Sequence, residues 1–251
     1  MLEIEPAPAK DYAIRMQFDA TGLASFYEEP MGQVTRRIVL KRLRLAWPNL
    51  SGLRVLGYGF AVPYLRPLLG EAERVVALVP AQHGAVAWPG HQSLSALGDE
   101  EQLPFPDALF DRILMIHGLE NAESSRQLLR QIWRVMAPGG RLLLVAPNRT
   151  SLWAQVERSP FAQGSPFSRS QLDRLMRQAM FTPERWDTAL FVPPLKSRRL
   201  MTSGAGWEGV GRKLWPALAG VHLVEATKSL YAVVPPAKAK RARAELAGAK
   251  A

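Results

Sequence analysis

Apolar runs that alternate with helix-like stretches constrain the fold of this 251-residue chain more than any other feature. A short strand-like run at 53–56 leads into a loop with Gly57 and Gly59, and a second run at 74–80 is β-branched and apolar on both faces. Further buried runs lie at 109–120 and 141–147. Strands that are apolar on both faces are typical of a parallel sheet covered by helices. The pattern predicts an α/β fold with a doubly wound sheet.

Helices are expected around these strands, because apolar residues recur there at helical spacing. The segment 34–47 has an amphipathic pattern and ends at Pro48. A second helix is predicted over 124–136, where the Pro-Gly-Gly at 138–140 stops it. The other expected elements are a weak third strand at 85–88, a helix at 170–179 and strands at 184–192 and 222–234. In such a fold, ligands bind beyond the carboxyl ends of the strands.

The composition excludes several kinds of site. The chain has no cysteine, which rules out disulfides, cysteine nucleophiles and thiolate zinc sites, and its four scattered histidines offer no metal-ligand spacing. We therefore expect no metal site. The N-terminal residues lack a basic stretch leading into an apolar one, and no apolar run reaches about 18 residues. A cytoplasmic protein with no membrane span is expected.

The net charge of +10 is placed unevenly along the chain. Residues 1–148 hold 15 basic and 15 acidic side chains, whereas residues 149–251 hold 17 and 7. Part of the excess lies in a tail at 237–251, which has too few large apolar groups to pack and is expected to be disordered. Two interpretations of this basic tail stay open: it maintains solubility, or it contacts nucleic acid or an anionic membrane surface.

Two segments resemble the small class I S-adenosylmethionine-dependent methyltransferases of the Methyltransferase-11 type. The sequence GDEEQLPFPDALFDRILMIHGLEN, residues 98–121, is similar to the adenine loop and fourth strand of that family. The sequence WRVMAPGGRLLLVAPN, residues 133–148, is similar to its helix end and fifth strand. The resemblance implies a Rossmann-like methyltransferase fold, with a mostly parallel seven-stranded sheet and a late antiparallel strand. It also implies S-adenosylmethionine as the cofactor.

The same resemblance suggests how the chain is divided. Residues 1–236 would form one methyltransferase-like domain, followed by the basic tail. Within the domain we expect an N-terminal helical part at 1–50, a cofactor half at 51–148 and a substrate-side half at 149–236.

Cofactor-binding residues follow from the resemblance at the matching positions. Asp99 would accept a hydrogen bond from the adenine amino group, and backbone N–H groups near Glu100 and Glu101 would meet a ring nitrogen. The alternative for these three residues is a solvated acidic turn. Gly59 is the clearly retained glycine of the loop after the first strand. The other positions assigned to the cofactor on this basis are Gly57, Tyr58, Ala61, Val79 and His117.

The glycine loop and the second strand depart from the family pattern. An acidic residue usually stands at the position of Gly57, and further glycines stand where this chain has Ala61 and Pro63. Proline lacks an N–H but is tolerated in the first turn of a helix. The family commonly holds the ribose with an acid where this chain has Val79. Candidate replacements for the lost polar partners are Tyr58 and Tyr12.

His117 ends the fourth strand, where folds of this type present a residue toward the methyl group and the acceptor. It is either a general base or a histidine that caps the strand end and contacts the cofactor. Methyl transfer from a sulfonium mainly needs alignment, so a base is needed only when the nucleophile is protonated. Contacts with the acceptor are expected from Tyr12, His117 and Asn148.

Two functions follow from these residues. The leading hypothesis is an S-adenosylmethionine-dependent methyltransferase acting on an unknown methyl acceptor. The alternative is a catalytically inactive methyltransferase-like binding or regulatory protein, which contacts nucleic acid through its basic C-terminal region. The residues at Gly57, Ala61, Pro63 and Val79 favour the alternative, whereas the loop at Asp99 favours the enzyme. The sequence does not indicate the oligomeric state.

Overall fold

The computed structural model describes residues 19–84, 87–90, 93–157, 159–194 and 204–229. These residues form a seven-stranded sheet with helices on both faces. The strands are β1 (Arg54–Gly59), β2 (Arg74–Pro80), β3 (Ser95–Gly98), β4 (Phe110–Ile116), β5 (Met136–Pro147), β6 (Phe181–Ala189) and β7 (Val221–Lys228). The helices are α1 (Ala20–Glu28), α2 (Pro30–Ala46), α3 (Val62–Leu65), α4 (Ser125–Val135), α5 (Arg169–Gln178) and α6 (Gly204–Leu214). Tyr12 and the tail at 237–251 lie outside the described residues.

The sheet is doubly wound and mostly parallel, with the order β3-β2-β1-β4-β5-β7-β6. β1 pairs in parallel with both β2 and β4, which places it at the centre of the parallel part. β7 runs antiparallel to both of its neighbours, β5 and β6. The predicted fold, including the late antiparallel strand, is confirmed.

The two faces of the sheet are covered by different parts of the chain. On one face, the N-terminal helix α2 buries Val39 and Leu43 together with the following Trp47. On the other face, α4 buries a stripe that includes Leu128 and Ile132. Both helices were predicted from these apolar residues, because one face of each helix must pack against the sheet.

Helix α2 is held on the sheet by a buried polar contact. It begins at Pro30, four residues before the predicted start, because proline suits the first helical turn. Just beyond its end, the indole N–H of Trp47 donates a 3.0 Å hydrogen bond to Oε1 of Glu225 on β7. Glu225 also lies within 3.6 Å of Arg141 and Arg185, so this buried carboxylate is compensated.

The predicted third strand at 85–88 is wrong. β3 is formed by Ser95–Gly98, while Ala87 and Trp88 have no regular structure and residues 85–86 lie outside the described residues. β3 is an edge strand that pairs only with β2, and its central residues are exposed. An exposed edge strand needs few apolar residues, so it leaves little signal in the sequence.

Two other boundaries differ from the prediction. Helix α4 ends at Val135, before the Pro-Gly-Gly, which lies inside the irregular first part of β5. The pairing register of β4 with β5 shifts there, and Gly139 has a φ of +72°. β6 begins and ends three residues earlier than predicted, and it ends where Leu190 takes a positive φ of 66°. In the part of the chain that the structure describes, no helix is both long and apolar enough to cross a membrane.

Candidate functional site

The carboxyl ends of the parallel strands β1 to β4 meet at one edge of the sheet. Gly59 is paired with Ile116 across β1 and β4, and Pro80 is paired with Gly98 across β2 and β3. The segments that follow these strands therefore lie side by side, as is typical of ligand sites in such sheets. We call this region the strand-end edge; its segments are 60–62, 81–83, 99–101 and 117–120.

His117 is the centre of a row of buried polar side chains at the strand-end edge. It directly follows β4 with a φ of +53°, and it is fully buried. The hydroxyl of Tyr27 lies 2.7 Å from Nε2 of His117 and accepts a 2.9 Å hydrogen bond from the hydroxyl of Tyr64. On the other side of the ring, Nδ1 lies 3.5 Å from Oε1 of Glu120. We call Tyr64, Tyr27, His117 and Glu120 the His117 row.

The hydrogen bonds of the His117 row assign the proton of the neutral imidazole. The carboxylate of Glu120 beside Nδ1 favours the ring proton on that nitrogen, which leaves Nε2 to accept from the hydroxyl of Tyr27. The ring proton is then on Nδ1 and faces Glu120. Burial, with the neighbouring Tyr64 and Glu120, raises the pKa of Tyr27 well above its usual value. Tyr27 is therefore protonated at neutral pH and able to donate.

Glu120 places a carboxylate in the interior at this edge. Its side chain is buried, and neither oxygen accepts a hydrogen bond from a described residue. The short 3₁₀ turn Leu119–Asn121 holds its backbone, and its carbonyl accepts a 2.7 Å hydrogen bond from the N–H of Ser165. A buried carboxylate without donors is costly unless a positive charge compensates it. The surroundings of Glu120 therefore suit a cationic group.

Three more buried polar atoms at or beside the strand-end edge have no hydrogen-bond partner among the described residues. They are the hydroxyl of Tyr58 on β1, Nδ1 of His83 after β2 and Oε2 of Glu100 after β3. Burial, aided by Glu100 and Asp99, raises the pKa of Tyr58 above its usual value. Burial and the nearby His117 lower the pKa of His83, so its ring is neutral at pH 7. Unpartnered polar groups gathered in one place are typical of a ligand site.

The loop after β1 explains why Gly59 is retained and the usual acid at Gly57 is absent. Gly59 has a φ of +81°, and a Cβ there would collide with the carbonyl oxygen of Ile116. Only glycine fits this close approach of β1 and β4. At Gly57, a Cβ would lie 2.5 Å from the side chain of Leu65 and 2.8 Å from that of Ala61. A longer acidic side chain has no room there.

The other two departures from the family pattern are also visible. Val79 is fully buried near the end of β2 and brings no polar side chain for a ribose. Pro63 lies in the first turn of the short helix α3, which tolerates its missing N–H.

The acidic loop after β3 is a closed turn anchored to helix α4. The N–H of Glu101 donates a 2.8 Å hydrogen bond to Oδ1 of Asp99, and both side chains are exposed. Glu100 is buried instead, and its Oε1 accepts a 2.7 Å hydrogen bond from the N–H of Glu123 and a longer one from that of Ser124. Glu100 therefore fixes the loop with its side chain. The contact of these three residues with adenine stays a prediction.

Asn148 is not a member of the His117 row. Its amide donates to the carbonyls of Ala217 and Ala219, at 2.9 and 2.8 Å. Its Oδ1 accepts a hydrogen bond from the Thr150 hydroxyl at 3.1 Å. The side chain is thus used to hold the segment after α6, and a contact with an acceptor stays a prediction.

Sequence reasoning missed four residues of the candidate site. Glu120 left a signal, since it stands three residues after His117 at the end of a strand. Tyr27 lies on the buried face of α1 and has the pattern of an ordinary core residue. The other two, Tyr64 and His83, belong to short helical turns with no spacing that points to a site.

Comparison with known sequences finds a methyltransferase domain within the chain. Residues 56–144 match the family model described as Methyltransferase domain. The demethylmenaquinone methyltransferase of Deinococcus radiodurans is 39% identical over 71 residues, which are 28% of this chain and 30% of that protein. The ubiquinone/menaquinone biosynthesis C-methyltransferase of Rubrivivax gelatinosus is 29% identical over 176 residues, which are 67% of each chain. The chain thus spans less than a third of the first relative and about two thirds of the second.

A solved structure shows the same fold over most of the chain. It is a Thermotoga maritima protein described as an S-adenosylmethionine-dependent methyltransferase and possible histamine N-methyltransferase. The TM-score is 0.58 at 18% identity, and the match covers 87% of this chain and all of that one. Residues 56–144 thus match a methyltransferase domain, and the chain has the fold of class I S-adenosylmethionine-dependent methyltransferases.

The cofactor of this family is S-adenosylmethionine, and the strand-end edge fits it. The molecule carries positive charge on its ammonium and sulfonium groups, which the buried carboxylate of Glu120 would compensate. Its adenine needs hydrogen-bond partners, for which the unpartnered Tyr58 hydroxyl and Asp99 are available.

Proposed function

We propose that this chain is an S-adenosylmethionine-dependent methyltransferase in which the His117 row takes up the proton that the acceptor loses on methylation. The observation that supports this proposal is the row itself. It joins two tyrosines, a histidine and a carboxylate at the edge where such sheets bind their ligands. A purely structural histidine needs no such chain of partners.

S-adenosylmethionine, when bound, supplies a methyl group on a sulfonium, and the protein must align it with the acceptor and remove a proton. The hydroxyl of Tyr27 is the proton carrier in our proposal. It receives the proton of the acceptor while its own proton moves over 2.7 Å to Nε2 of His117. Tyr64 donates to the Tyr27 oxygen throughout, which stabilises any negative charge that develops there.

Glu120 completes the proton path. When Nε2 receives a proton, His117 becomes an imidazolium, and the Glu120 carboxylate lies 3.5 Å from Nδ1 to balance the charge. His117 therefore acts through Tyr27 because both of its nitrogens already face protein groups. A step of this kind is useful only for an acceptor that carries a proton on its nucleophilic atom or on a hydroxyl conjugated with it.

The acceptor class we propose is a hydroxylated aromatic ring. Loss of the hydroxyl proton makes such a ring more nucleophilic, which is the task for which the His117 row is suited. Support comes from the two relatives, of which one is described as a demethylmenaquinone methyltransferase and the other as a ubiquinone/menaquinone biosynthesis C-methyltransferase. The inactive alternative is supported by the residues at Gly57, Ala61, Pro63 and Val79, and packing accounts for the first of these.

Cofactor binding is the first test. We would titrate the protein with S-adenosylmethionine and S-adenosylhomocysteine by calorimetry, and repeat both titrations with Glu120→Gln and with Glu123→Gln. Glu123 is exposed and only its backbone N–H is used, so its variant controls for the change in net charge. We expect micromolar binding by the wild type and Glu123→Gln, and binding weaker by about tenfold or more in Glu120→Gln.

A second measurement tests the acceptor. The loaded enzyme is offered a hydroxylated naphthalene ring and, as a matched compound, the same ring with its hydroxyl methylated. Methylation of the first compound alone is expected, because only that compound has a proton to lose. A folded wild type that binds neither form of the cofactor would instead establish the inactive alternative.

A further inference from the structure

A cavity lies apart from the His117 row. It has a volume of about 480 Å³ and is formed by the start of α5, the outer strands β6 and β7, and the segment after α6. None of the four residues of the row lines it. The apolar part of its wall is formed by Trp186, Pro216 and Ala217. The charged and titratable groups relevant to a ligand are those of Arg169, Arg212 and His222.

His222 is the buried polar group of this cavity. It is only 7% exposed, and both of its ring nitrogens lack a hydrogen-bond partner among the described residues. A neutral imidazole has one hydrogen-bond donor and one acceptor, and leaving both without a partner in the interior is unfavourable. A ligand that enters the cavity can satisfy them. Burial, with Arg169 nearby, lowers the pKa of His222 to about 4, so the ring is neutral at pH 7.

The charge of the cavity is positive. No described carboxylate lies within 4 Å of the guanidinium of Arg169 or Arg212. The acidic side chain in the wall, Asp187, is already used: it lies 3.7 Å from Arg42 and accepts a 2.8 Å hydrogen bond from the N–H of Thr188. Two uncompensated guanidinium groups on one cavity favour an anion with planar oxygen geometry.

The position of Arg169 is defined by its neighbours. Its guanidinium carbon lies 4.9 Å from the centre of the Trp186 ring, an arrangement that holds the charge over an apolar wall. Arg169 is also the first residue of the ten-residue helix α5, whose N-cap Ser168 lines the cavity. The positive end of the helix dipole therefore adds to the charge of the two arginines.

We propose that this cavity binds a small organic anion, whose carboxylate or phosphate group is held by Arg169 and Arg212 and whose aromatic body lies toward Trp186 and His222. A volume of about 480 Å³ suits a molecule of this size. The site is distinct from the cofactor site, so it stands whether or not the chain transfers methyl groups.

The test uses the full chain with its histidines labelled for NMR, and the ring signals of His222 are assigned by their loss in His222→Gln. Inorganic phosphate, phenyl phosphate and benzoate are titrated separately at constant ionic strength. We expect saturating shifts of the His222 ring with at least one of the two aromatic anions, and weaker binding of inorganic phosphate. The aromatic anion that binds more tightly identifies the preferred oxyanion.

Matched variants decide whether the arginines form the site. Arg169→Gln and Arg212→Gln are expected to weaken binding of the aromatic anion by about tenfold or more. Arg174→Gln removes an exposed arginine of the same helix that does not line the cavity, so it is expected to bind like the wild type. Equal loss in all three variants would show a general charge effect and overturn the proposal. Absence of saturation with all three anions, or equal affinity for inorganic phosphate, would overturn it as well.

Discussion

Tyr27 and His117 lie ninety residues apart in the chain and are joined by a 2.7 Å hydrogen bond in the interior. This bond connects helix α1 with the end of the central strand β4. The N-terminal helices thereby cover the strand-end edge, and the bond fixes the tautomer of the histidine. The N-terminal part of the chain is thus a component of the candidate site.

Replacing Tyr27 tests this connection. Tyr27→Phe leaves Nε2 of His117 buried without a partner, which is expected to lower the free energy of unfolding by about 1–3 kcal/mol. The rate of methyl transfer should fall by about tenfold or more, because the proton path is interrupted. Urea unfolding measures the first effect and the pH dependence of kcat measures the second, while cofactor titration checks that the variant still binds the cofactor.

The control for that variant is Tyr64→Phe, which keeps the hydrogen bond between Tyr27 and His117. A smaller loss of rate is expected from it. If folded Tyr27→Phe binds the cofactor and reacts at the rate of the wild type, Tyr27 does not carry the proton.

The glycines provide a graded test of the loop after β1. Gly59→Ala is expected to cost about 3 kcal/mol or more, because the alanine combines a φ of +81° with a collision against the Ile116 carbonyl. Gly52 has a similar φ of +71° but open space around it, so Gly52→Ala is expected to lower the free energy of unfolding by about 1 kcal/mol. Gly70→Ala has open space without positive φ and should change stability by less than about 0.5 kcal/mol. Equal losses at Gly52 and Gly59 in chemical unfolding would show that the strand contact is unimportant.

His222 makes stability depend on pH. Its folded pKa of about 4 lies below the ordinary value of 6.5, because burial and then Arg169 disfavour the charged ring. Between these two values the unfolded chain binds more protons, so the free energy of unfolding falls as the pH is lowered from about 6.5 to about 4. The contribution of His222 is at most about 3 kcal/mol.

Unfolding by urea at several pH values measures this dependence. In His222→Gln the slope should become shallower but not vanish, because burial also lowers the pKa of His83. A slope identical to that of the wild type would mean that His222 titrates normally in the folded protein.

Asp99 is expected to contribute to binding of the adenine. Asp99→Ala should weaken S-adenosylhomocysteine by about tenfold while the protein stays folded, since the loss of one charge-assisted hydrogen bond is of that size. Asp173→Ala serves as the control, because it removes a carboxylate from the outer surface of α5, where it pairs with Arg177. If calorimetry gives equal affinities for the two variants, the loop at Asp99 is a solvated turn that does not bind adenine.

Local pattern was enough to predict the main elements. The apolar runs of β1, β2 and β4 and the stripes on α2 and α4 reflect burial along single segments, which sequence records directly. The elements that the sequence predicted less well are those whose boundaries depend on neighbouring strands. The edge strand β3 and the irregular start of β5 are examples, since pairing partners rather than their own residues define them.

The sequence by itself determined the doubly wound fold, the family and the position of His117 at the end of a strand. Only the tertiary structure decided what surrounds His117, because Tyr27, Tyr64 and Glu120 come from three separate segments that meet at one edge of the sheet. The tertiary structure also explains the glycine at position 57, where the packing of Leu65 and Ala61 leaves no room for an acidic side chain. Periodicity records which residues are buried, whereas a site depends on which buried residues meet, and that is set by the path of the whole chain.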